Sequence, residues 1–200
     1  MRYGKTLAIT GLYSNLFFLF IFTLMHFIRP DKSIAGSFVS EYAVGNYGWL
    51  MTLGFFCLAT GSLCLLIGLL KSIKASKTAI VTLCIWCTGA FLFSIFTTDL
   101  PGTPPTPQGL IHGFSALIAL VNLGISMLAW GFIFTRNANW CAVAKTSWVF
   151  GGLGIAMFIV FLFSPPSLRG LTERILIVWD VSWLVLVNRQ LYINSIYNQI

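Results

Sequence analysis

Charge is what this chain has least of. Only 8% of its 200 residues are charged, against 58% hydrophobic and 16% aromatic, and the acidic side chains number five. Soluble domains carry about a quarter charged residues, so a water-soluble globule is excluded. Histidine is as scarce, with two, which leaves a zinc site short of its usual ligands. Long polar stretches are lacking as well, so no second folded domain has room beside the apolar ones. The five cysteines, Cys57, Cys64, Cys84, Cys87 and Cys141, avoid the loops on one side of the predicted spans, and no disulfide framework is expected. The "CIWC" at 84–87 has redox spacing but lies inside an apolar helix, where small packing residues are the simpler reading.

What is present is long apolar runs. A bilayer crossing takes roughly 17 to 25 residues, and such runs fall at 8–28, 48–70, 78–97, 110–134, 146–163 and 171–189. The expectation is an all-α, polytopic integral membrane bundle of six transmembrane helices, formed as one domain over residues 1–200. The first run follows "MRYGK" and is too long for a cleaved signal, so it reads as a retained anchor.

The net charge of +7 is explained by its placement. Alternating the loops puts Arg2, Lys5, Lys71, Lys74, Lys77, Arg136, Lys145 and Arg189 on one side with no acid among them. That side is cytoplasmic by the positive-inside rule, which places both termini in the cytoplasm of a cell (plasma or inner) membrane. The other side balances Arg29, Lys32, Arg169 and Arg174 against Asp31, Glu41, Asp99 and Glu173. A basic face next to anionic headgroups needs no nucleic acid as partner; membrane lipid is the partner implied.

Small residues at steps of three and four, Gly54, Cys57, Gly61, Cys64 and Gly68, mark a close-packing stripe on the second span. The fourth span carries a more polar stripe, His112, Ser115, Ala119, Asn122 and Ser126, which should face the bundle interior or a wet cavity. Asp180, seven residues beyond Glu173, lies about 10 Å deeper along a helix, and a carboxylate there calls for a partner such as Trp179, Trp183, Arg174, Asn15 or Asn122.

The outward segments hold nearly everything reactive. "FTTDLPGTPPTPQGLIH", 96–112, sets Asp99 and His112 at the ends of a hairpin stiffened by Pro101, Pro104, Pro105 and Pro107. That hairpin should bring the two side chains across one mouth, within hydrogen-bonding reach directly or through water. Ser40 and Glu41 precede the second span, and Glu173 and Arg174 open the sixth. These pieces are recognisable together. Phe96, Thr98, Asp99 and Gly102, then Gly109 and His112, a Ser40–Glu41 pair, and Gly170, Arg174 and Trp183 on the last span resemble prokaryotic six-helix membrane proteins of the domain of unknown function 998. The chain departs from that pattern at Thr97 and Tyr42, and His26 and Asp180 lie outside it. The resemblance implies the fold and the choice of residues and brings no reaction with it.

Three classes of function stay open. An enzyme, a hydrolase or transferase acting on a lipid or lipid-linked group, would use Ser40 as nucleophile, His112 as base and Asp99 to orient it. Arg174, Glu173, Glu41 and Asn122 would then hold substrate. A binding or transport protein for lipid or small molecules would line a route with the fourth span's stripe. A structural assembly subunit needs only the bundle. No metal set is assigned, the cofactor is not read from the sequence, and a haem between His26 and His112 is the least favoured reading.

Overall fold

The computed structural model describes residues 2–197, with side chains described for residues 4–196. Six long helices follow one another: α1 (Arg2–Ile28), α2 (Gly48–Ser72), α3 (Lys77–Ile95), α4 (Pro107–Phe134), α5 (Cys141–Phe163) and α6 (Arg169–Tyr197). A short 3-10 turn, Val39–Ala43, interrupts the connection between α1 and α2. Local chemistry sets several of these ends. The Ser76 hydroxyl accepts from the Ala79 N–H at 3.3 Å to open α3, and Thr106 does the same for Gly109 at 3.1 Å to open α4. Pro107 follows at the first helical position, where its missing N–H costs nothing.

Consecutive helices pack side by side, and α6 returns against both α5 and α1 while also touching α2 and α4. The circuit is therefore closed around an interior. Five helices, α1 to α5, are long and apolar enough to cross a membrane. The sixth, expected as a span over 171–189, differs because Glu173, Arg174, Asp180 and Arg189 interrupt its apolar run. Tryptophans pin neighbouring helices through their one polar atom, as buried indoles generally do. Trp86 donates to the Ser62 hydroxyl at 2.8 Å, Trp130 to the Ala79 carbonyl at 3.1 Å and Trp183 to the Ser147 hydroxyl at 2.9 Å. Those three bonds join α2 to α3, α3 to α4 and α5 to α6. Large apolar side chains such as Phe20, Phe27, Phe114, Phe132 and Phe163 stay exposed on the outside, the surface a hydrocarbon solvent suits.

The segment 29–47 folds over one end of the bundle and is held there by charge. Arg29 is buried, forks onto Asp31 at 2.7 and 2.8 Å, and reaches the carbonyls of Val44 and Asn46 at 2.9 and 2.8 Å. The pairing raises the Arg29 pKa and lowers that of Asp31, the mutual hydrogen bond being the larger cause for each. From α6, Glu173 accepts the Val39 N–H at 2.7 Å and Arg174 donates to the Ser37 carbonyl at 2.6 Å.

Candidate functional site

A cavity of about 50 Å³ lies beneath that folded segment, large enough for a few waters. Four polar side chains line it: Ser40 from the 3-10 turn, His112 from α4, and Glu173 and Asp180 from α6. The walls are apolar and strongly aromatic, built by Phe18, Phe55, Trp86 and Phe93 among others. Each polar residue arrives by a local rule. Glu173 and Asp180 share one face of α6 because seven residues make nearly two turns. His112 stands six residues past the Thr106 cap, a little over one and a half turns into α4. Ser40 is carried inward by the turn that Glu41 closes, since the Glu41 carboxylate accepts the Phe38 N–H at 2.8 Å.

His112 is oriented by the backbone. Its Nδ1 lies 2.8 Å from the Phe96 carbonyl, and a carbonyl can only accept, so the proton sits on Nδ1 and Nε2 carries a lone pair. This corrects the expected Asp99–His112 pair as a direct bond. Asp99 instead accepts the Thr106 N–H at 2.8 Å and its hydroxyl at 2.7 Å, at the amino end of α4. The physical reason is competition: a helix start offers unpaired N–H groups and a favourable dipole to a nearby carboxylate. Those bonds, the Thr106 N–H first, hold the Asp99 pKa below its usual range.

The hairpin motif thereby resolves into one construction. Phe96 supplies the carbonyl for His112, Gly102 adopts φ 84°, and Gly109 leaves the space that the Asp99 carboxylate occupies; a Cβ at 109 would collide with it. Because the folded-state pKa of Asp99 is lowered, its contribution is present above the unfolded value and is lost as pH falls through the lowered one. Asp99→Asn should lower the melting temperature at pH 7, and the gap from wild type should close in strongly acidic buffer. Thr106→Ala should cost about 1 kcal/mol through the lost cap. Circular dichroism melts of the detergent-purified protein check both.

The other expected site residues separate. Glu41 is spent on its own turn and on Lys32, 3.1 Å away. Asn122 donates to the Ile118 carbonyl of its own helix at 2.8 Å and does not line the cavity. Arg174 points to the folded segment and to His26, whose Nε2 accepts from Arg174 Nε at 3.0 Å. With His26 Nδ1 also 2.7 Å from the Phe22 carbonyl, both of its ring nitrogens are engaged, so neither is free to bind a haem. Among the described residues, no cluster of three or more His, Cys, Asp or Glu could hold a metal ion.

Asp180 was not assigned to the site by sequence reasoning, which looked for a partner to neutralise it. Asp180 is 2% exposed, its Oδ2 has no hydrogen-bond partner among the described residues, and Trp179 and Trp183 donate elsewhere. The signal that could have found it is its spacing from Glu173, which puts it on the cavity face.

A closed circuit of helices, five of them long and apolar enough to cross a membrane, is the architecture of a polytopic membrane protein. A family model spanning residues 14–189 matches the chain, and the protein belongs to that family, described as "Protein of unknown function (DUF998)". No curated protein and no solved structure matches it.

Proposed function

We propose that the protein is a six-span cell-membrane enzyme that cleaves or transfers an acyl-type group on a lipid or lipid-linked molecule. The observation that supports this reading is the convergence of Ser40 and His112 on one aromatic-walled cavity, with the imidazole tautomer set by Phe96. The Ser40 hydroxyl attacks a carbonyl and His112 Nε2 takes its proton. His112 then returns the proton to the leaving oxygen or nitrogen, and water or an acceptor alcohol releases the acyl group from Ser40. Asp99 acts on this site through the hairpin that carries the Phe96 carbonyl, and Arg174 and Glu41 act by holding the 29–47 segment over the cavity. Asn122, partly buried and bonded to the Ile118 carbonyl of its own helix, takes no part in this step. The test is product analysis by mass spectrometry after incubating the purified protein with a panel of acyl lipids, beside Ser40→Ala and His112→Gln.

A second reading, transport, is favoured by one observation: Asn15 and Asn188 also hold buried polar atoms without partners, as Asp180 does. A wet route would leave the lipid panel unchanged and move a solute across sealed vesicles instead.

The reading puts both termini and all eight unaccompanied basic residues in the cytoplasm, and the 29–47 segment outside. Single cysteines at 74 and 139 in a background lacking the native cysteines should resist an impermeant thiol reagent in intact cells, and one at 104 should react. Labelling at 74 in sealed cells contradicts the orientation.

A further inference from the structure

The polar lining of the cavity has one chemical character. Asp180 contributes a carboxylate whose Oδ2 is buried with no partner among the described residues, and Glu173 contributes one whose Oε2 takes the Val39 N–H. His112 contributes a lone pair at Nε2, because Nδ1 is committed to Phe96. With the carboxyls ionised and the Trp86 N–H committed to Ser62, Ser40 holds the uncommitted donor. Among the described residues, no lysine or arginine lines the cavity. A buried carboxylate without a partner is costly as an anion unless a cation or a donor is brought to it. The remaining wall is a contiguous set of aromatic rings: Phe55 lies 6.1 Å from Phe18 and 5.4 Å from Phe93, and Phe93 lies 6.3 Å from Trp86 and 6.1 Å from His112. Aromatic faces attract cations and carry no proton acceptor strong enough to replace the carboxylates.

We infer that the cavity is a site for a primary ammonium group, held at Asp180 and walled by Phe18, Phe55, Trp86 and Phe93, with Glu173 about two turns away on the same face of α6. An ammonium brings three donors to a site made of acceptors, and it is compact enough for about 50 Å³. A quaternary ammonium brings no donor and more bulk. A phosphate brings acceptors to acceptors. The same chemistry is offered by a lipid with an amine headgroup and by a small free amine. The inference rests on the enzymatic reading only in giving that reaction its substrate class, an amine-bearing molecule; the binding itself requires no turnover.

The test is a binding titration on the full-length protein in neutral detergent, read by melting temperature and by calorimetry. The probes are ethylammonium, tetramethylammonium, dioctanoyl phosphatidylethanolamine and dioctanoyl phosphatidylcholine. The inference predicts that each primary amine binds at least about tenfold more tightly than its methylated counterpart, the difference of one good charge-assisted hydrogen bond. A much larger response to phosphatidylethanolamine than to ethylammonium identifies the lipid as the source, and equal responses identify the free amine. Asp180→Asn, near-isosteric and uncharged, should fold at least as stably as wild type and lose at least about tenfold in amine affinity. Asp180→Ser gives a second reading if that variant misfolds. Equal binding of the methylated probes, no binding by either amine, or undiminished binding by folded Asp180→Asn overturns the inference. Retained lipid turnover beside failed amine binding would leave the enzymatic reading standing, and the converse would leave the ammonium site standing.

Discussion

Ser40→Ala and His112→Gln should each lower turnover of the cleaved lipid at least about a thousandfold, with expression, membrane insertion and melting temperature close to wild type. The size follows from how nucleophile and base act as a unit, so that removing either one costs nearly as much as removing both. Combining the two changes should therefore add little. The stability claim follows from position. Ser40 lines the cavity and makes no hydrogen bond that closes its turn, a task that falls to Glu41. His112→Gln keeps a donor near the Phe96 carbonyl. Asp99→Asn should behave in the opposite way, reducing stability while the folded fraction keeps most of its turnover, because Asp99 caps α4 and does not bond to His112. A thousandfold loss in folded Asp99→Asn would restore the orienting role to Asp99.

Arg174→Ala should be among the most destabilising single changes in the chain, at about 3 to 5 kcal/mol. The guanidinium is 5% exposed and donates to the Ser37 and Gly170 carbonyls at 2.6 and 2.9 Å and to His26 at 3.0 Å. It also stands over the Tyr42 ring at 5.4 Å. Hydrogen bonds from a charged donor are worth about 1.5 to 3 kcal/mol each, and truncation leaves buried acceptors unsatisfied. The loss is concentrated in one place, where α6 grips the 29–47 segment. Limited proteolysis should therefore cut first between residues 33 and 47 in the variant, before the helices open. Arg174→Lys should recover less than half of the loss, since one ammonium cannot reproduce the planar fork that reaches two carbonyls and an imidazole.

Much of the architecture was legible because a membrane chain advertises it. Runs of apolar residues locate most helix ends to within three positions, although α1 and α5 begin six and five residues earlier and α6 ends eight later than those runs; Thr106 with Pro107 marks the start of α4 as plainly as in any soluble helix. α6 was legible as a helix and less so as a span, because Glu173, Arg174, Asp180 and Arg189 sit in the same run. The site was legible by residue type and poorly by partner. Ser40, His112 and Glu173 do share a cavity, as a reading of loop positions along the chain suggests. Asp99 and His112 do not pair, because a hairpin brings chain ends near each other without saying which of several donors wins a carboxylate. The winner here is the helix start six residues before His112, a local interaction that outcompetes a tertiary one. His26 lies outside the family pattern, and its bond to Arg174 depends on α1 and α6 becoming neighbours, which no local pattern encodes. Asp180 was visible as an anomaly. Its lack of a partner could be seen only once the helices around it were placed.

The central claim is that Ser40, activated by His112, faces a cavity that a lipid-borne group can enter. Labelling with a fluorophosphonate probe in native membranes, read by peptide mass spectrometry, tests it most directly. The account predicts modification at Ser40, abolished in Ser40→Ala, abolished in folded His112→Gln, and retained in the folded fraction of Asp99→Asn. Absence of any label at Ser40 in the folded wild-type protein, or labelling that persists undiminished in His112→Gln, would contradict it.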